Sequence, residues 1–320
     1  MRAVLAAAAL LATALVPGST VSGRPPVVSG THCTVFPRDN VWNTTVNRLP
    51  VDRHSRDWLA HMDTAGRDLH PDFGPSFGAQ PVPYGIPITV VRAGHPFVRV
   101  HFSYAGQSDR VRYPLGRDTR IEGGRNATGD RHAVVVDAAT CELYETWDTR
   151  DTSHGWTAGS GATWSLRSNR LRPAGWTSAD AAGLPILPGL VTWAEVKAGE
   201  VDHAIRFTAP ITCTGYAWPA RHEAGSEPNC SEYPPMGARF RLEASFSERG
   251  FSPDARVVIR AMKLYGLILA DNGSPWFFQG DADRRWPDSL IEQLKRIPAS
   301  AFQAVDESSL IVNRDSARAR

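Results

Sequence analysis

The sequence contains none of the short motifs that identify the commonest enzyme reactions. There is no GxSxG or SxxK nucleophile motif, no HExxH zinc motif and no glycine-rich phosphate loop. Serine esterases, zinc proteases of the HExxH type and nucleotide-dependent enzymes therefore have no support. Because no motif names a reaction, function has to be inferred from cellular location, fold class and individual residues.

Basic clusters and long apolar runs are also missing. The formal net charge is only +2, and no basic cluster is interleaved with aromatic residues. Beyond the N-terminus, no apolar run is long enough for a membrane helix. We therefore expect no nucleic-acid partner and no membrane contact for the mature chain, and we expect a monomer.

The N-terminus has the three parts of a secretory signal peptide. Met1-Arg2 supplies a positive start, Ala3–Val16 an apolar core and Pro17–Gly23 the small residues before a cleavage site. This apolar core is too short to span a bilayer comfortably. The sequence thus predicts a signal peptide over residues 1–23 and a secreted chain, either extracellular or associated with the cell wall.

Four cysteines in an exported chain predict two disulfides. Four cysteines can pair in three ways. We favour Cys213–Cys230, which closes a local loop rich in Pro and Gly, and Cys33–Cys141, which ties the N-terminal segment to the main sheet. A zinc site is disfavoured, because no two cysteines are close enough to form a ligand knuckle.

Apolar patterns and turn residues predict one β-rich domain, residues 51–313. An irregular arm, residues 24–50, precedes it, and a disordered tail, residues 314–320, follows it. Period-2 alternation is clear at Val98–Phe102 and Glu142–Asp148. Many short strands with 27 Gly and 24 Pro predict a mainly β fold, an antiparallel β-sandwich or barrel of jelly-roll or concanavalin-like type.

Three to five short helices are predicted at the periphery of this fold. Thr192–Glu195 fits a capping box. Pro253–Tyr265 has helical spacing between a capping Ser252 and a terminating Gly266. The other predicted helices are Ser55–Met62 and Ser289–Arg296.

Glu145 is the first candidate for chemistry. It lies between two apolar residues on the strand face expected to be buried, where a carboxylate needs a partner or acquires the raised pKa of a general acid. A structural ion pair with Arg is the alternative. If Glu145 is the acid, Asp271 or Asp148 supplies the second carboxylate, and His132 is an orienting group or alternative base. Asp271 is preferred, because Glu145 and Asp148 point to opposite faces of an ideal strand.

The turn Asp271-Asn272-Gly273 predicts a hairpin. Asn-Gly between apolar runs is a strong short-range hairpin signal, and it accounts for Asn272 and Gly273 without any chemistry. Asp271 ends an apolar strand that follows directly on a helix, so its carboxylate is rigidly supported. Both a functional role and a capping role fit this position.

Tryptophans are frequent in the second half of the chain and suggest sugar binding. Flat exposed indole rings pack against the C–H faces of sugars, while neighbouring polar groups bind the hydroxyls. Core packing is the alternative and must account for most of these rings. The candidates for substrate contacts are Trp147, Trp156, Trp176 and Trp276.

Three histidines near strand ends form a different candidate site. His132, His203 and His222 can hold a divalent metal if the fold brings them together. No HxH or HxxxH pair occurs, and isolated histidines are more often surface or hydrogen-bonded residues. Apart from this alternative, we predict no metal and no cofactor.

Several longer segments resemble a group of secreted bacterial hypothetical proteins. The resemblance covers the chain from about Phe36 to Val312 and implies a single domain. The group has no established reaction, so the resemblance implies no mechanism. The segments are HAVVVD, CELYETWD, WTSADAAGLPILPGLV, WPARH and YGLILADNG.

These observations favour a secreted carbohydrate-active enzyme, a glycoside hydrolase or polysaccharide lyase. It would cleave glycosidic bonds of an extracellular or cell-wall polysaccharide by carboxylate acid–base chemistry, which requires two carboxylates facing one cleft. A non-catalytic glycan- or wall-binding protein is the alternative. A His-ligated metalloenzyme is the second alternative.

Overall fold

Fourteen β-strands and four α-helices make up the part of the chain that the structure describes, residues 26–77 and 82–320 of a computed structural model. The predicted signal peptide, residues 1–23, lies outside these residues. In chain order the strands are β1 (His70–Asp72), β2 (Ile88–Val91), β3 (Val98–Phe102), β4 (Arg112–Tyr113), β5 (Ala133–Asp137), β6 (Glu142–Trp147), β7 (Arg150–Thr152), β8 (Gly155–Ala158), β9 (Ser160–Ser165), β10 (Ile205–Ala209), β11 (Arg239–Leu242), β12 (Leu267–Asn272), β13 (Phe277–Gln279) and β14 (Phe302–Ala304). The helices are α1 (Ser55–Ala60), α2 (Trp193–Ala198), α3 (Pro253–Leu264) and α4 (Asp288–Leu294).

Two helices begin at the caps that the sequence predicts. At α2 the Thr192 side chain accepts from the Glu195 backbone, and the Glu195 carboxylate accepts from the Thr192 N–H, so the capping box is confirmed. Ser252 caps α3 with its side chain. Gly266 follows α3 with a φ of 72°, and a Cβ there would lie 2.5 Å from the Phe240 carbonyl oxygen. Only glycine fits that position, which fixes where the helix gives way to β12.

The strands form three sheets with mixed strand directions. Their orders are β1-β13-β10-β12-β11-β14, β2-β5-β6-β9 and β4-β3-β8-β7. The mainly β prediction is confirmed, but the purely antiparallel one is wrong, because the pairs β1–β13, β2–β5, β3–β8 and β10–β12 are parallel. Within the described residues no sheet closes into a barrel. Parallel β10 and β12 are separated in the chain by residues 210–266, which include β11 of the same sheet and helix α3. Parallel neighbours need such long crossovers, and apolar alternation contains no information about strand direction.

A continuous core of buried side chains extends from Val28 to Ala319 and includes residues of the six-stranded sheet and of β5, β6 and β9. A smaller cluster containing Tyr113 and Trp156 lies under the β4-β3-β8-β7 sheet. Both predicted disulfides, Cys33–Cys141 and Cys213–Cys230, are present. None of the helices in the described ranges is long and apolar enough to cross a bilayer.

The C-terminal residues correct one prediction. Residues 314–320, predicted to be a disordered tail, pack against the body of the protein. The Ala317 N–H donates to the Asn169 carbonyl at 2.7 Å, and the Ala319 N–H donates to the Asp39 carbonyl at 2.8 Å. Both alanines are buried. Small side chains allow this close approach, which the polar composition of the segment does not indicate.

Candidate functional site

The six-stranded sheet carries a polar row on one face. Asp72 of β1 pairs in register with Gln279 of β13. Phe207 pairs with Phe278, so the next residues along the antiparallel ladder, Arg206 and Gln279, also lie opposite each other. Directly opposed residues share a sheet face, and the Gln279 amide donates to the Asp72 carboxylate at 3.2 Å. The row therefore places charged side chains in the interior, where each needs a partner.

Arg206 is fully compensated by Asp180. The guanidinium Nε and Nη2 atoms each donate to one carboxylate oxygen of Asp180 at 2.9 Å, and both side chains are buried. Burial alone would lower the pKa of Arg206, but the paired Asp180 raises it above its usual range. The guanidinium therefore stays charged and anchors the loop of residues 177–187 to the sheet.

Glu145 has a structural role, but its partners are backbone amides and not the Arg that the structural alternative predicts. Its carboxylate accepts hydrogen bonds from the Ile186 N–H at 2.9 and 3.0 Å and from the Leu187 N–H at 2.8 Å. The side chain is completely buried. Burial raises the pKa of Glu145 to about 7, and the two amide donors oppose that shift. The raised pKa matches the expectation, but a carboxylate with no exposed surface cannot contact a substrate, which corrects its assignment as the general acid.

His132 pairs with Glu122, a residue that the sequence analysis missed. The His132 Nδ1 lies 2.6 Å from Glu122 Oε2, and its Nε2 lies 3.2 Å from the Ala179 carbonyl oxygen. Burial alone would lower the pKa of His132, but Glu122 outweighs it and raises the pKa to about 9. Burial would likewise raise the pKa of Glu122, yet His132 lowers it below its usual value. At neutral pH the two form an imidazolium–carboxylate ion pair.

A cavity of about 750 Å³ opens at the Glu122 side of this pair. Its lining includes the carboxylates of Asp72, Glu122 and Asp130 and the rings of Phe77 and Tyr84. The Glu122 side chain is 25% exposed, so its carboxylate reaches both the buried imidazole and the cavity. This volume lies in the range of small-molecule sites, and the combination of aromatic rings with a few polar groups is typical of them.

Tyr84 lies between the aromatic and acidic parts of the cavity. Its hydroxyl donates to the Asp72 carboxylate, and its ring centroid is 5.0 Å from that of the exposed Phe77. Burial, reinforced by Asp72 and Glu122, raises the pKa of Tyr84 above its usual value. The phenol is therefore protonated at neutral pH. The cavity thus contains an ionised carboxylate, Glu122, together with a protonated hydroxyl group.

Asp271 lies at the end of β12, opposite Thr208 of β10. It is half-buried and accepts a hydrogen bond from the Asn272 N–H at 2.7 Å. Burial raises its pKa to about 7; Asp180 reinforces the shift, while Arg206 and His132 oppose it. Asp271 therefore interacts with the same charged groups as His132, and it stays a candidate for proton transfer at a second, half-buried position beside them.

The predicted hairpin at Asp271 is wrong. Strands β12 and β13 are separated by β10 in the sheet, so they are not paired with each other. The connection crosses the end of β10, where the Gly273 N–H donates to the Ala209 carbonyl and the Trp276 N–H donates to the Thr208 carbonyl. The Asn272-Gly273 turn is compatible with a hairpin, but β10 occupies the position next to β12 that β13 would take in one.

Asp148 and two of the four tryptophans do not fit their predicted roles. Asp148 pairs with Arg150 at 2.6 Å, away from Glu145 and Asp271 in the hydrogen-bond network. Trp276 is fully buried among aromatic residues of the core, and Trp156 of β8, the register partner of Val100, is only 7% exposed on the side of the sheet that faces the smaller core. Their ring faces are therefore occupied by protein contacts, so the sugar-binding assignment of both rings is corrected to core packing.

Trp147 and Trp176 are half-buried and keep part of their surface in solvent. The Trp147 Nε1 donates to the Asp130 carboxylate at 3.4 Å, which places the indole beside a residue of the 750 Å³ cavity. The Arg172 guanidinium lies over the Trp176 ring, 5.6 Å from its centroid. Trp147 is thus the predicted sugar-binding residue with a direct contact to the cavity.

The three predicted metal-binding histidines do not converge. His132 binds Glu122, His203 binds Glu195 at 3.3 Å, and His222 binds the Ala181 carbonyl. In the described ranges, the residues placed closely enough to hold a metal are His32, Cys33 and Cys141. The two cysteine sulfurs are joined in a disulfide and cannot act as thiolates. The histidine metal site is therefore a wrong prediction.

His203 belongs instead to a separate cavity of about 280 Å³ beside α2. Glu195 and Asp281 also line it. Burial alone would lower the pKa of His203, but Glu195 raises it overall. Burial raises the pKa of Asp281 to about 7, opposed by a hydrogen bond from the Trp193 N–H. The cavity has few aromatic groups, so it suits a sugar ring less well than the larger one.

Strand β10 shows why part of the site could not be predicted. In Ile205–Ala209 the polar Arg206 and Thr208 alternate with apolar residues, a pattern that predicts one exposed face, yet all five residues are buried. A buried Arg requires an acidic partner, but the segment VDHAIRF indicates neither the burial of Arg206 nor Asp180 as its partner. Glu122, Asp72 and Tyr84 lie in irregular segments or at a strand end, where no periodicity marks them. Comparisons with protein-family models, curated proteins and solved structures give no match.

Proposed function

We propose that the protein is a secreted carbohydrate-active enzyme that takes a polysaccharide chain into the 750 Å³ cavity and cleaves a glycosidic bond there. One observation carries the proposal. Glu122, an ionised carboxylate held by a protonated His132, borders a cavity that also contains the Phe77 and Tyr84 rings. Sugar recognition needs an aromatic surface and hydrogen-bond acceptors, and glycosidic cleavage needs a base and a proton donor.

Glu122 acts as the catalytic base in this proposal. The ion pair with His132 keeps its carboxylate unprotonated and fixes its orientation, while a quarter of the side chain remains open to the cavity. His132 does not reach the substrate, because it is buried behind Glu122. It is therefore a positioning residue. This role retains the predicted contribution of His132 but transfers the base function to its partner.

The proton donor is the pair of Tyr84 and Asp72. The phenol is protonated, and its hydrogen bond to Asp72 keeps a proton at the cavity wall. In hydrolysis, Glu122 takes a proton from water as the water oxygen bonds to the anomeric carbon, and Tyr84 gives its proton to the leaving oxygen as the glycosidic C–O bond breaks. The proton on Glu122 then returns to the Tyr84 phenolate, which restores both groups. In elimination, Glu122 removes the proton beside a uronate carboxylate, a C=C bond forms, and the glycosidic C–O bond breaks with protonation by the same pair.

A polysaccharide panel with two readouts tests the proposal. New reducing ends report either kind of cleavage, and the ultraviolet absorbance of an unsaturated sugar reports elimination alone. On the best substrate, Glu122→Gln is expected to lower kcat by about 100-fold or more, because it removes the base. Phe77→Ala is expected to raise KM and leave kcat nearly unchanged, since the ring contributes contact area rather than chemistry.

Glu232→Gln is the matched control, because Glu232 is exposed and does not line the cavity. It undergoes the same chemical change and should keep full activity. Thermal unfolding of each variant separates loss of chemistry from loss of structure. Undiminished cleavage by a folded Glu122→Gln variant would contradict the assignment of the base.

Non-catalytic glycan binding is the second candidate. It is favoured by the Phe77–Tyr84 ring pair, whose exposed edge provides a sugar platform that does not depend on any acid or base. If this function is the correct one, no substrate of the panel is cleaved. Phe77→Ala then weakens glycan binding, whereas Glu122→Gln changes it by less than about threefold.

A further inference from the structure

We infer that the exposed face of the β4-β3-β8-β7 sheet binds an anionic polysaccharide and guides it toward the Glu122 cavity. The inference takes from the proposed function only that the ligand is a carbohydrate. It adds the charge of that ligand and a second binding surface, which we call the basic face. The basic face consists of Arg99, His101, Arg110 and Arg112 with the neighbouring backbone of β3 and β4.

The pairing of the strands assembles this face. On β3, Arg99 and His101 are exposed, while Val98, Val100 and Phe102 point to the other side and pack on the smaller core. Arg112 of β4 is the register partner of Arg99. Opposed residues and residues two apart on one strand share a sheet face. Arg99, His101 and Arg112 therefore project from the same surface.

No carboxylate in the described residues neutralises this surface. A groove of about 500 Å³ is lined by all four residues of the basic face and by no acidic residue. The Arg110 guanidinium donates to the Ala105 carbonyl and that of Arg112 to the Phe97 carbonyl. The Arg99 side chain makes no hydrogen bond or ion pair with any described residue.

Like charges directly opposite on neighbouring strands destabilise a sheet. Arg99 and Arg112 nevertheless occupy such a pair, and their guanidinium groups have geometry suited to two-pronged hydrogen bonding with carboxylates and sulfates. An external anion would relieve this repulsion. The chemistry of the face therefore selects a ligand with repeated negative groups.

A chain of contacts connects the basic face to the cavity. Ala105 lines the groove, and its neighbour Tyr104 is 56% exposed. The Tyr104 ring lies against Trp147, with centroids 6.3 Å apart, and Trp147 donates to Asp130 at the cavity. A ligand that follows these contacts meets cations first, then two aromatic rings, and then a cavity with carboxylates.

This order favours a glycan over a nucleic acid. Arg125 and Arg131 also line the cavity, but Arg125 is paired with Asp151 and Arg131 donates to the Thr149 and Ala127 carbonyls. The carboxylates of Asp72, Glu122 and Asp130 accept hydrogen bonds from sugar hydroxyls and disfavour a continuous phosphodiester backbone. A polysaccharide that carries both acidic groups and free hydroxyls along its chain satisfies both ends. Its acidic groups bind the basic face, while the sugar that enters the cavity places its hydroxyls against the carboxylates.

Calorimetric binding of hyaluronan and polygalacturonate to the full mature protein tests the inference. The carboxyl-reduced form of each polymer, with the same chain but without charge, is the matched ligand. Wild type is expected to bind at least one anionic polymer, to bind its reduced form at least about tenfold more weakly, and to lose affinity as salt is raised. The double variant Arg99→Gln/Arg112→Gln should bind that anionic polymer about tenfold more weakly than wild type.

Arg256→Gln/Arg260→Gln is the matched control, because it removes the same charge from exposed positions of α3. It should bind as wild type does. The inference is overturned if neither anionic polymer binds, if the reduced forms bind equally well, or if the Arg99/Arg112 variant keeps full affinity. It is also overturned if duplex DNA binds more tightly than both polymers and depends on the same two arginines.

The binding assay, combined with the cleavage assay of the proposed function, separates this inference from that function. Loss of binding in Arg99→Gln/Arg112→Gln, with no cleavage of any polymer by wild type, supports the basic face and refutes catalysis. Cleavage that depends on Glu122, with binding unaffected by the two arginines, supports catalysis and refutes the basic face.

Discussion

Glu145 is a buried carboxylate whose partners are backbone amides rather than a cation. Three hydrogen-bond contacts from Ile186 and Leu187 hold it at the point where loop 177–187 turns into a short 3-10 helix, Leu187–Gly189. Such contacts stabilise the charged form, while burial stabilises the neutral one, and the pKa of about 7 reflects their competition. The residue therefore joins β6 to the loop whichever form is present.

Removing the Glu145 carboxylate should destabilise the fold. Glu145→Ala leaves two buried N–H groups without an acceptor, and each such group costs about 1–3 kcal/mol, so we expect a loss of roughly 3–5 kcal/mol including the cavity. Glu145→Gln keeps one acceptor oxygen and should lose about half as much. Urea unfolding curves measure both. A Glu145→Ala variant as stable as wild type would exclude the structural role.

Loop 177–187 is the element that joins the two sheets of the main core. Its Asp180 carboxylate binds Arg206 of β10, its Ala179 carbonyl binds His132 just before β5, and the amide that follows Pro185 binds Glu145 of β6. The loop therefore fixes the Asp180–Arg206 ion pair and, through its contact with His132, the position of the proposed base Glu122. Its backbone path is fixed by glycines as well as by these polar contacts.

Gly183 and Gly175 provide a matched test of that path. Both have positive φ, 68° and 80°. A Cβ on Gly183 would lie 2.4 Å from the Trp176 carbonyl oxygen, whereas one on Gly175 would meet no atom within 4 Å. We expect Gly175→Ala to cost about 1 kcal/mol through φ alone, and Gly183→Ala about 2–4 kcal/mol because the loop must also shift.

Chemical denaturation measures these two free energies of unfolding. Gly183→Ala should additionally lower activity in the polysaccharide assay, since displacement of Ala179 and Asp180 moves the partners of His132 and Arg206. Equal costs at the two positions would mean that the crowding around Gly183 relaxes freely and that the loop does not fix the site.

For the whole molecule, the buried charges predict a stability that declines as pH rises. The folded pKa of His132, about 9, lies above its ordinary value of 6.5. The contribution of the His132–Glu122 pair is therefore complete only between pH 4.5, the ordinary pKa of Glu122, and pH 6.5. It is lost as pH rises from 6.5 to 9 and His132 loses its proton, and also as pH falls below 4.5 and Glu122, whose folded pKa is lowered, becomes protonated. The folded pKa values of Glu145 and Asp271 are raised to about 7. Between about pH 4 and 7 these carboxyl groups therefore hold protons in the folded state that the unfolded chain has released, so the free energy of unfolding also falls over that range.

Urea unfolding at pH 6, 7.5 and 9 tests the alkaline part of this profile. For wild type we expect the free energy of unfolding to fall by about 2–3 kcal/mol over this range. Glu122→Gln should flatten the decline, because it removes the main group that raises the His132 pKa, leaving Asp130 as a weaker one. Parallel wild-type and variant profiles would show that other groups, such as the His203–Glu195 pair, dominate the decline.

Most of the local structure could be predicted from the sequence. The four helices, both disulfides and the cores of strands such as β3 and β5 follow from apolar period, caps and cysteine count. These features depend on neighbours within a few residues or on a small number of chemically unique groups. The candidate site was only partly predictable: His132 and Trp147 contact it, but Glu122, Asp72 and Tyr84 carry no pattern of their own.

The apolar period and the helix caps follow from the amino-acid sequence, because short-range sterics and hydrogen bonding decide them, and four cysteines in an oxidised chain leave few pairings. Strand direction and the partner of each buried charge depend on the tertiary structure. Residues Glu122 and His132 are ten apart, yet Asp180 and Arg206 meet across 26 residues and Asp72 and Gln279 across 207. The sign of a pKa shift and the exposure of a carboxylate depend on these distant partners, since charge interactions act through space rather than along the chain.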